Sequence, residues 1–243
     1  MLQTNGFTIW LTGMPGVGKS TLANYLGQRF KAIGRRAEVI DHDEVAALLT
    51  KELSNSKDDR MVGVARLGYV ARLLSRNDCI AIAAAVSPHR EARDKIRKEI
   101  GRFVEVWVDC ATEKLMERDT KGQYKKALAG EIPNFIGVTE PYDTPQHAEV
   151  HVHTDTDPVE MSGEHIVQAL VSIGYLKPEE ARQMTGKRLR PQPLKKGKPA
   201  KAAAGKPAKA PAAKSAKPAP KKPAAKPHAA KPAPKKKPAK AKK

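Results

Sequence analysis

The chain has 243 residues and a formal net charge of +19, and that charge sits at one end. Of its 45 Lys and Arg side chains, 21 lie between Lys187 and Lys243, where no Asp or Glu occurs; residues 1–186 hold 24 bases against 26 acids, a net of −2. A body so nearly neutral excludes an all-over basic nucleic-acid-binding fold, and its length suits one α/β core.

The opening stretch MLQTNGFTIWLTG has no basic region ahead of a long apolar core, so no secretory leader is expected. The longest apolar run, Cys79–Val86, is too short to cross a bilayer. The only two cysteines, Cys79 and Cys110, both lie in apolar runs. Free buried thiols and a soluble cytoplasmic protein are therefore expected.

Five apolar runs read as strands: Phe7–Thr12, Ala37–Asp41, Cys79–Val86, Phe103–Asp109 and Glu149–His153. The first, third and fourth are nearly continuous, as strands buried on both faces of a parallel sheet must be. Helical periodicity lies between them. Ser20–Ile33 places Leu22, Leu26 and Phe30 on one face, and Asp59–Arg76 carries Val62, Leu67, Val70 and Leu74. His89–Ile100 is charged and exposed on one side, and Glu164–Ile173 closes the body. Strands alternating with helices predict βαβ units and a doubly wound, mainly parallel five-stranded sheet. Between Arg118 and Pro145 the periodicity fails. The stretch is rich in charge, Gly and Pro, with Tyr124, Phe135 and Tyr142 spaced along it, and reads as a lid insertion. The end of the chain is Lys, Ala and Pro, with 12 of the 19 prolines after Lys187 and no aromatic residue. Such a segment cannot bury enough apolar surface to offset its ordering entropy and reads as disordered. The expected division is a domain over residues 1–185 and a basic tail over residues 186–243.

Directly after the first strand come Gly13, Met14, Pro15, Gly16, Val17, Gly18, Lys19, Ser20 and Thr21, opening a helix. This is G-x-x-x-x-G-K-S/T in the strand–loop–helix setting that the motif requires. The glycines let backbone N–H groups wrap a phosphate chain, and the helix N-terminus adds partial positive charge. Lys19 reaches the β- and γ-phosphates, and the Ser20 hydroxyl ligates Mg²⁺. The loop identifies a P-loop NTPase three-layer sandwich and a nucleoside triphosphate, not a reaction. The acids that complete a site close the second strand, in Asp41-His42-Asp43-Glu44. Ligands bind at the carboxyl ends of strands in such sheets. Of Asp41 and Asp43, one would orient Mg²⁺ through water and one would accept a proton from an attacking hydroxyl, unless one of them caps the following helix. His42 is a ligand, a base or simply an exposed residue. A small body with a lid and no guanine-reading pattern suits a small-molecule kinase better than a motor or a switch.

From about Gly6 to Ile173 the chain resembles the adenylylsulfate (APS) kinases. Phe7–Ala23 is similar to that family's first strand and P-loop, and Val86-Ser87-Pro88-His89-Arg90-Glu91-Ala92-Arg93 to its I-S-P-Y-R-x-x-R segment. The most specific match runs from Phe103–Asp109 through Arg118-Asp119 and Lys121–Ala127 to Gly130-Glu131-Ile132, Phe135-Ile136-Gly137 and Pro141-Tyr142. The resemblance implies transfer of the γ-phosphoryl of ATP to the 3′-hydroxyl of adenosine 5′-phosphosulfate, with Mg²⁺ and commonly a homodimer. It implies Asp41, Lys19 and Ser87 as catalytic groups, Ser87 being the family's phosphoserine position; a helix-capping hydroxyl is the other reading of Ser87. It implies residues 13–21 and Arg118 around ATP. Asp43, Arg60, Arg66, Lys121, Lys126, Ile132 and Phe135 then surround the acceptor, with Phe135 against its adenine and the cations against its phosphate and sulfate. Solvated lid charges and plain packing are the alternatives.

The chain departs from the family pattern on the acceptor side. D-G-D-N-V-R reads Asp41-His42-Asp43-Glu44-Val45-Ala46. D-R-x-E-N-I-R-R-I-G keeps Arg60 and Arg66, but Gly63 replaces its asparagine and Ala65 one arginine. A carboxylate at Glu44 disfavours an anionic acceptor, so a kinase of the same fold acting on a different hydroxyl is the alternative enzyme. From a different class, the Lys-Ala-Pro tail resembles linker-histone tails and suits non-specific contact with a polyanion or nucleic acid, or serves as an inert solubilising extension. No membrane partner is expected.

Overall fold

The structure, a computed structural model, describes residues 5–186. The expectation of disorder beyond them lies outside the described residues. Strands β1 (Thr8–Thr12), β2 (Ala37–Asp41), β3 (Ile80–Ala84), β4 (Phe103–Asp109) and β5 (Val150–His153) form one sheet in the order β2-β3-β1-β4-β5. All four pairings are parallel. The five expected strands are these five, shortened by a residue or two at some ends.

The continuous apolar runs feed two cores, one on each face. Ile9 and Leu11 of β1, Ile80 and Ile82 of β3, and Val104, Val106 and Val108 of β4 point to one side. There they meet α1 (Lys19–Ala32), α7 (Val159–Ser172) and α8 (Pro178–Gly186). Trp10, Ala81, Ala83 and Phe103 point to the other, against α3 (Lys57–Ser75) and α4 (Arg90–Ile100). The small Ala81 and Ala83 let α3 approach closely through Val64, Leu67 and Ala71. This corrects the apolar face read for that helix: Val62 is exposed, while Val70 and Leu74 pack only at the margin of the core.

Short helices escape the periodicity because six to nine residues show too few turns. They are α2 (His42–Leu49), α5 (Thr112–Glu117), α6 (Gln123–Leu128) and α8. Helix α2 follows β2 with no intervening loop, since Asp41 ends the strand and caps the helix at once, accepting from Asp43 N at 2.9 Å. Both cysteines are free; Cys110 is buried and Cys79 half-buried. No helix among the described residues is long and apolar enough to cross a membrane.

Candidate active site

Because the sheet is parallel, the loops after β1, β2 and β3 emerge on one side. With the segment after β4 they enclose a cleft of about 550 Å³. The phosphate loop is shaped by its glycines. A Cβ on Gly13 would stand 2.2 Å from the Val108 carbonyl of β4, and Gly18 holds φ at 95° as it starts α1. Helix α1 has no side-chain cap and no acidic residue in its first turn. Its leading N–H groups are therefore left to an anion, whereas Asp41 caps α2 and Ser56 caps α3.

Lys19 is buried, and its Nζ donates to the Gly13 carbonyl at 2.9 Å and the Met14 carbonyl at 2.8 Å. Burial pulls its ammonium down to about 8, against the opposing pull of Asp43 and Asp41. Asp41 is also buried and shares the cleft. Asp43 is held down at about 2, chiefly by the adjacent His42 imidazole and also by Lys121, whose Nζ lies 3.4 Å from Asp43 Oδ2. Ser20 and Thr21 open α1 against the same cleft, as do Pro15, Gly16 and Gly18. Gly13, Met14 and Val17 shape the loop from behind.

The expected lid exists and is tied down at several points. Tyr124 OH donates to the Pro15 carbonyl at 2.8 Å. Burial, with the nearby Asp119 charge adding to it, pushes its phenol up to about 12. Its ring meets Phe135 edge-on at 5.0 Å, so Phe135 both packs in the core and lines the cleft. Arg60 reaches across from α3 to donate to the Asn134 carbonyl at 2.7 Å. Asp119 organises α6 by accepting from Gln123 N at 2.8 Å and Lys125 N at 3.1 Å. Arg118 donates to the Thr154 carbonyl at 2.8 Å, and Thr154 donates to the Val17 carbonyl at 2.7 Å, so Arg118 stands beside the phosphate loop. Ile132 and Lys121 also line the cleft.

Three readings of the acceptor side change. Arg66 lies outside the cleft: its guanidinium is held by the Leu49 carbonyl at 2.7 Å and by Glu52. Lys126 is exposed and does not line the cleft. Glu44 is exposed outside it too, so its carboxylate gives no reason to reject an anionic acceptor. His42 and Gly63 form a pair: a Cβ on Gly63 would stand 3.9 Å from His42 Nε2 and 3.3 Å from Thr50 Cγ2. The histidine that replaces the family glycine fills space that the glycine at position 63 leaves open.

Ser87 lines the cleft, yet its hydroxyl is buried in a closed network. Ser87 Oγ accepts from Trp10 Nε1 at 3.0 Å and donates to Thr12 Oγ1 at 2.8 Å; Thr12 donates to the Val86 carbonyl at 2.9 Å and meets Tyr142 OH at 2.8 Å. Neither Trp10 nor Thr12 was singled out by motif. Arg93 supports the same loop from below. It is 2% exposed and donates to the Ser87 carbonyl at 2.7 Å, the Pro88 carbonyl at 3.1 Å, the Asp143 carbonyl at 2.6 Å and Glu105 Oε1 at 2.7 Å. One buried guanidinium thus joins β4, the Ser87 loop and the far end of the lid. Glu105, an acid between two valines in the apolar β4 run, was the signal that could have found it.

The sequence model of the adenylylsulphate kinase family matches residues 5–153. An adenylyl-sulfate kinase of Picosynechococcus is 42% identical over 177 residues, covering 73% of this chain and all of its own length. That of Rippkaea orientalis is 45% identical over 175 residues, 72% of this chain and 97% of its own. Among solved structures, a Mycobacterium tuberculosis APS kinase in complex with AMPPNP and APS superposes with a TM-score of 0.66 at 32% identity, over 69% of this chain and 98% of its own. The chain belongs to the adenylylsulphate kinase family.

Proposed function

We propose that the protein transfers the γ-phosphoryl group of ATP to the 3′-hydroxyl of adenosine 5′-phosphosulfate (APS), giving 3′-phosphoadenosine 5′-phosphosulfate and ADP. The observation that carries this reading is that Lys19, Ser20, Asp41, Arg60 and Phe135 all line one cleft. The first-turn amides of α1 and Lys19 bind the phosphate chain, and Lys19 neutralises charge as it shifts toward ADP. With Asp41 Oδ1 committed to Asp43 N, Oδ2 is the oxygen that accepts the 3′-hydroxyl proton. The acceptor oxygen bonds to the γ-phosphorus as its bond to the ADP bridging oxygen breaks. The Ser20 hydroxyl and the Asp43 carboxylate, both on the cleft wall, are oxygen donors of the kind that suit Mg²⁺ and would hold it, and the ion would supply neutralisation of phosphate charge. Phe135, steadied by Tyr124, offers the acceptor base a flat apolar wall, and Arg60 offers its anionic groups a cation. Ser87, donating to Thr12, serves to hold the loop rather than to carry a phosphoryl group.

A coupled ADP-release assay with Mg²⁺-ATP tests the acceptor, comparing APS with nucleosides and sugars. ADP is expected with APS, and Lys19→Ala is expected to abolish it. Release only with another hydroxyl would sink the APS assignment and leave a kinase. The homodimer implied by the family is tested by sedimentation of the purified chain. Two free thiols and an ATP substrate suit a cytoplasmic setting.

A further inference from the structure

At the β5 edge of the sheet the two faces are treated differently. Val150 and Val152 are buried on the side that α7 covers. The alternate residues His151 and His153 turn to the opposite side, where both are exposed. Parallel pairing with β4 sets Trp107 beside His151 and Asp109 beside His153. Two imidazoles and a carboxylate are thereby gathered at the carboxyl end of two strands. Asp109 Oδ2 lies 3.4 Å from His151 Nε2 and 3.9 Å from His153 Nδ1, and the three candidate ligand atoms all fall within 4.8 Å of one another. A tetrahedral ion with bonds near 2.0 Å needs ligand atoms separated by roughly 3.3 Å, so only small side-chain adjustments close the set.

The groups are also oriented in advance. Asp109 Oδ1 accepts from Cys110 N at 2.9 Å, which turns Oδ2 toward the histidines. The indole of Trp107 stacks on His151 at 3.8 Å between centroids with 5° between planes, which fixes the imidazole plane. The two imidazoles stand 4.2 Å apart. Supports of this kind hold first ligands in register for an ion. None of these residues belongs to the cleft that holds Lys19 and Ser20. The donor set differs as well: two nitrogens and one oxygen favour zinc and its late first-row neighbours over Mg²⁺.

We propose that Asp109, His151 and His153 bind one divalent transition-metal ion, of which zinc is the best fit, with water in the fourth position. The ion would clasp the ends of β4 and β5. Thr154, next in the chain, donates its N–H to the Asp109 carbonyl at 2.9 Å and its hydroxyl to the Val17 carbonyl at 2.7 Å. The clasp is thus one residue from the contact that supports the phosphate loop.

Metal-stripped full-length protein, without nucleotide, is titrated with Zn²⁺ by calorimetry. Co²⁺ is titrated in parallel, read by its visible bands and by quenching of Trp107. One equivalent is expected to bind, with Co²⁺ bands of a four-coordinate ion and no displacement by excess Mg²⁺. The H151A/H153A double variant and Asp109→Asn are expected to weaken binding by at least ~10-fold. Both changed histidines are exposed, so the fold should survive, and a thermal melt checks it. His165→Ala, an exposed histidine on α7, should leave binding unchanged. Failure of the wild-type chain to take up Zn²⁺ or Co²⁺ would overturn the proposal. Equal binding by the double variant would overturn it as well.

Discussion

Lys19 is placed where its charge costs the fold stability. Its ammonium titrates near 8 in the folded chain and at 10.5 as a free side chain, because burial outweighs the attraction of Asp43 and Asp41. Below pH 8 the folded state must keep a desolvated charge, and that destabilisation is fully present. Between about 8 and 10.5 the unfolded chain binds the proton and the folded chain releases it. Stability then rises with pH by about 1.4 kcal/mol per unit. From pH 7 to pH 10 the gain is about 2 to 3 kcal/mol, or ~5–10 °C in Tm for a domain of this size. Other groups titrate in this range, so the quantity to measure is a difference. Unfolding of wild type and Lys19→Met is followed by urea melts across pH 7–10. Met leaves the Gly13 and Met14 carbonyls without their donor, which offsets the variant by an amount independent of pH. Whatever that offset, the wild type should gain on the variant as pH rises through 8. A gap that stays constant would refute the claim that Lys19 is buried with its charge opposed. The same balance predicts that AMPPNP affinity falls above pH 8, because phosphate binding needs the protonated amine.

Other changes separate the roles of neighbouring groups. Arg60→Ala should raise the KM for APS about 10- to 100-fold, the loss of one charge-assisted contact, whereas Arg66→Ala should leave it unaltered; equal effects in steady-state kinetics would show that Arg66 enters the cleft. Arg93→Met should cost about 3–5 kcal/mol in urea unfolding, because Glu105 loses a buried partner and three carbonyls lose a donor. Gly63→Asn should displace His42 and Thr50 and change the KM for APS while leaving that for ATP, as initial rates will show. A chain ending at Gly186 should keep its kinase rate, while the full chain alone should shift DNA in a gel in a salt-dependent way; loss of activity in a folded truncated chain would show that the tail and the domain are coupled.

Most of the nucleotide half was legible from local sequence. The phosphate loop is written in nine consecutive residues, because glycine conformations and a helix N-terminus depend on nearest neighbours. The five strands were legible because a strand covered on both faces has no place for polar residues. The acceptor half was not. Arg60 and Arg66 are six positions apart on α3, so they point about 120° apart around it, and only packing decides which meets the lid. Arg93 reads as one more charge on an exposed helix until the fold brings Glu105 and three carbonyls around it. The alternation of His151 and His153 is visible in the sequence, but their convergence on Asp109 depends on the register between β4 and β5. The sequence by itself therefore determined what depends on neighbours along the chain: strand order of appearance, phosphate loop and family. The tertiary structure alone decided which side chains share a cleft, because convergence of residues 40 to 80 positions apart is set by sheet register and helix rotation, which no local pattern specifies.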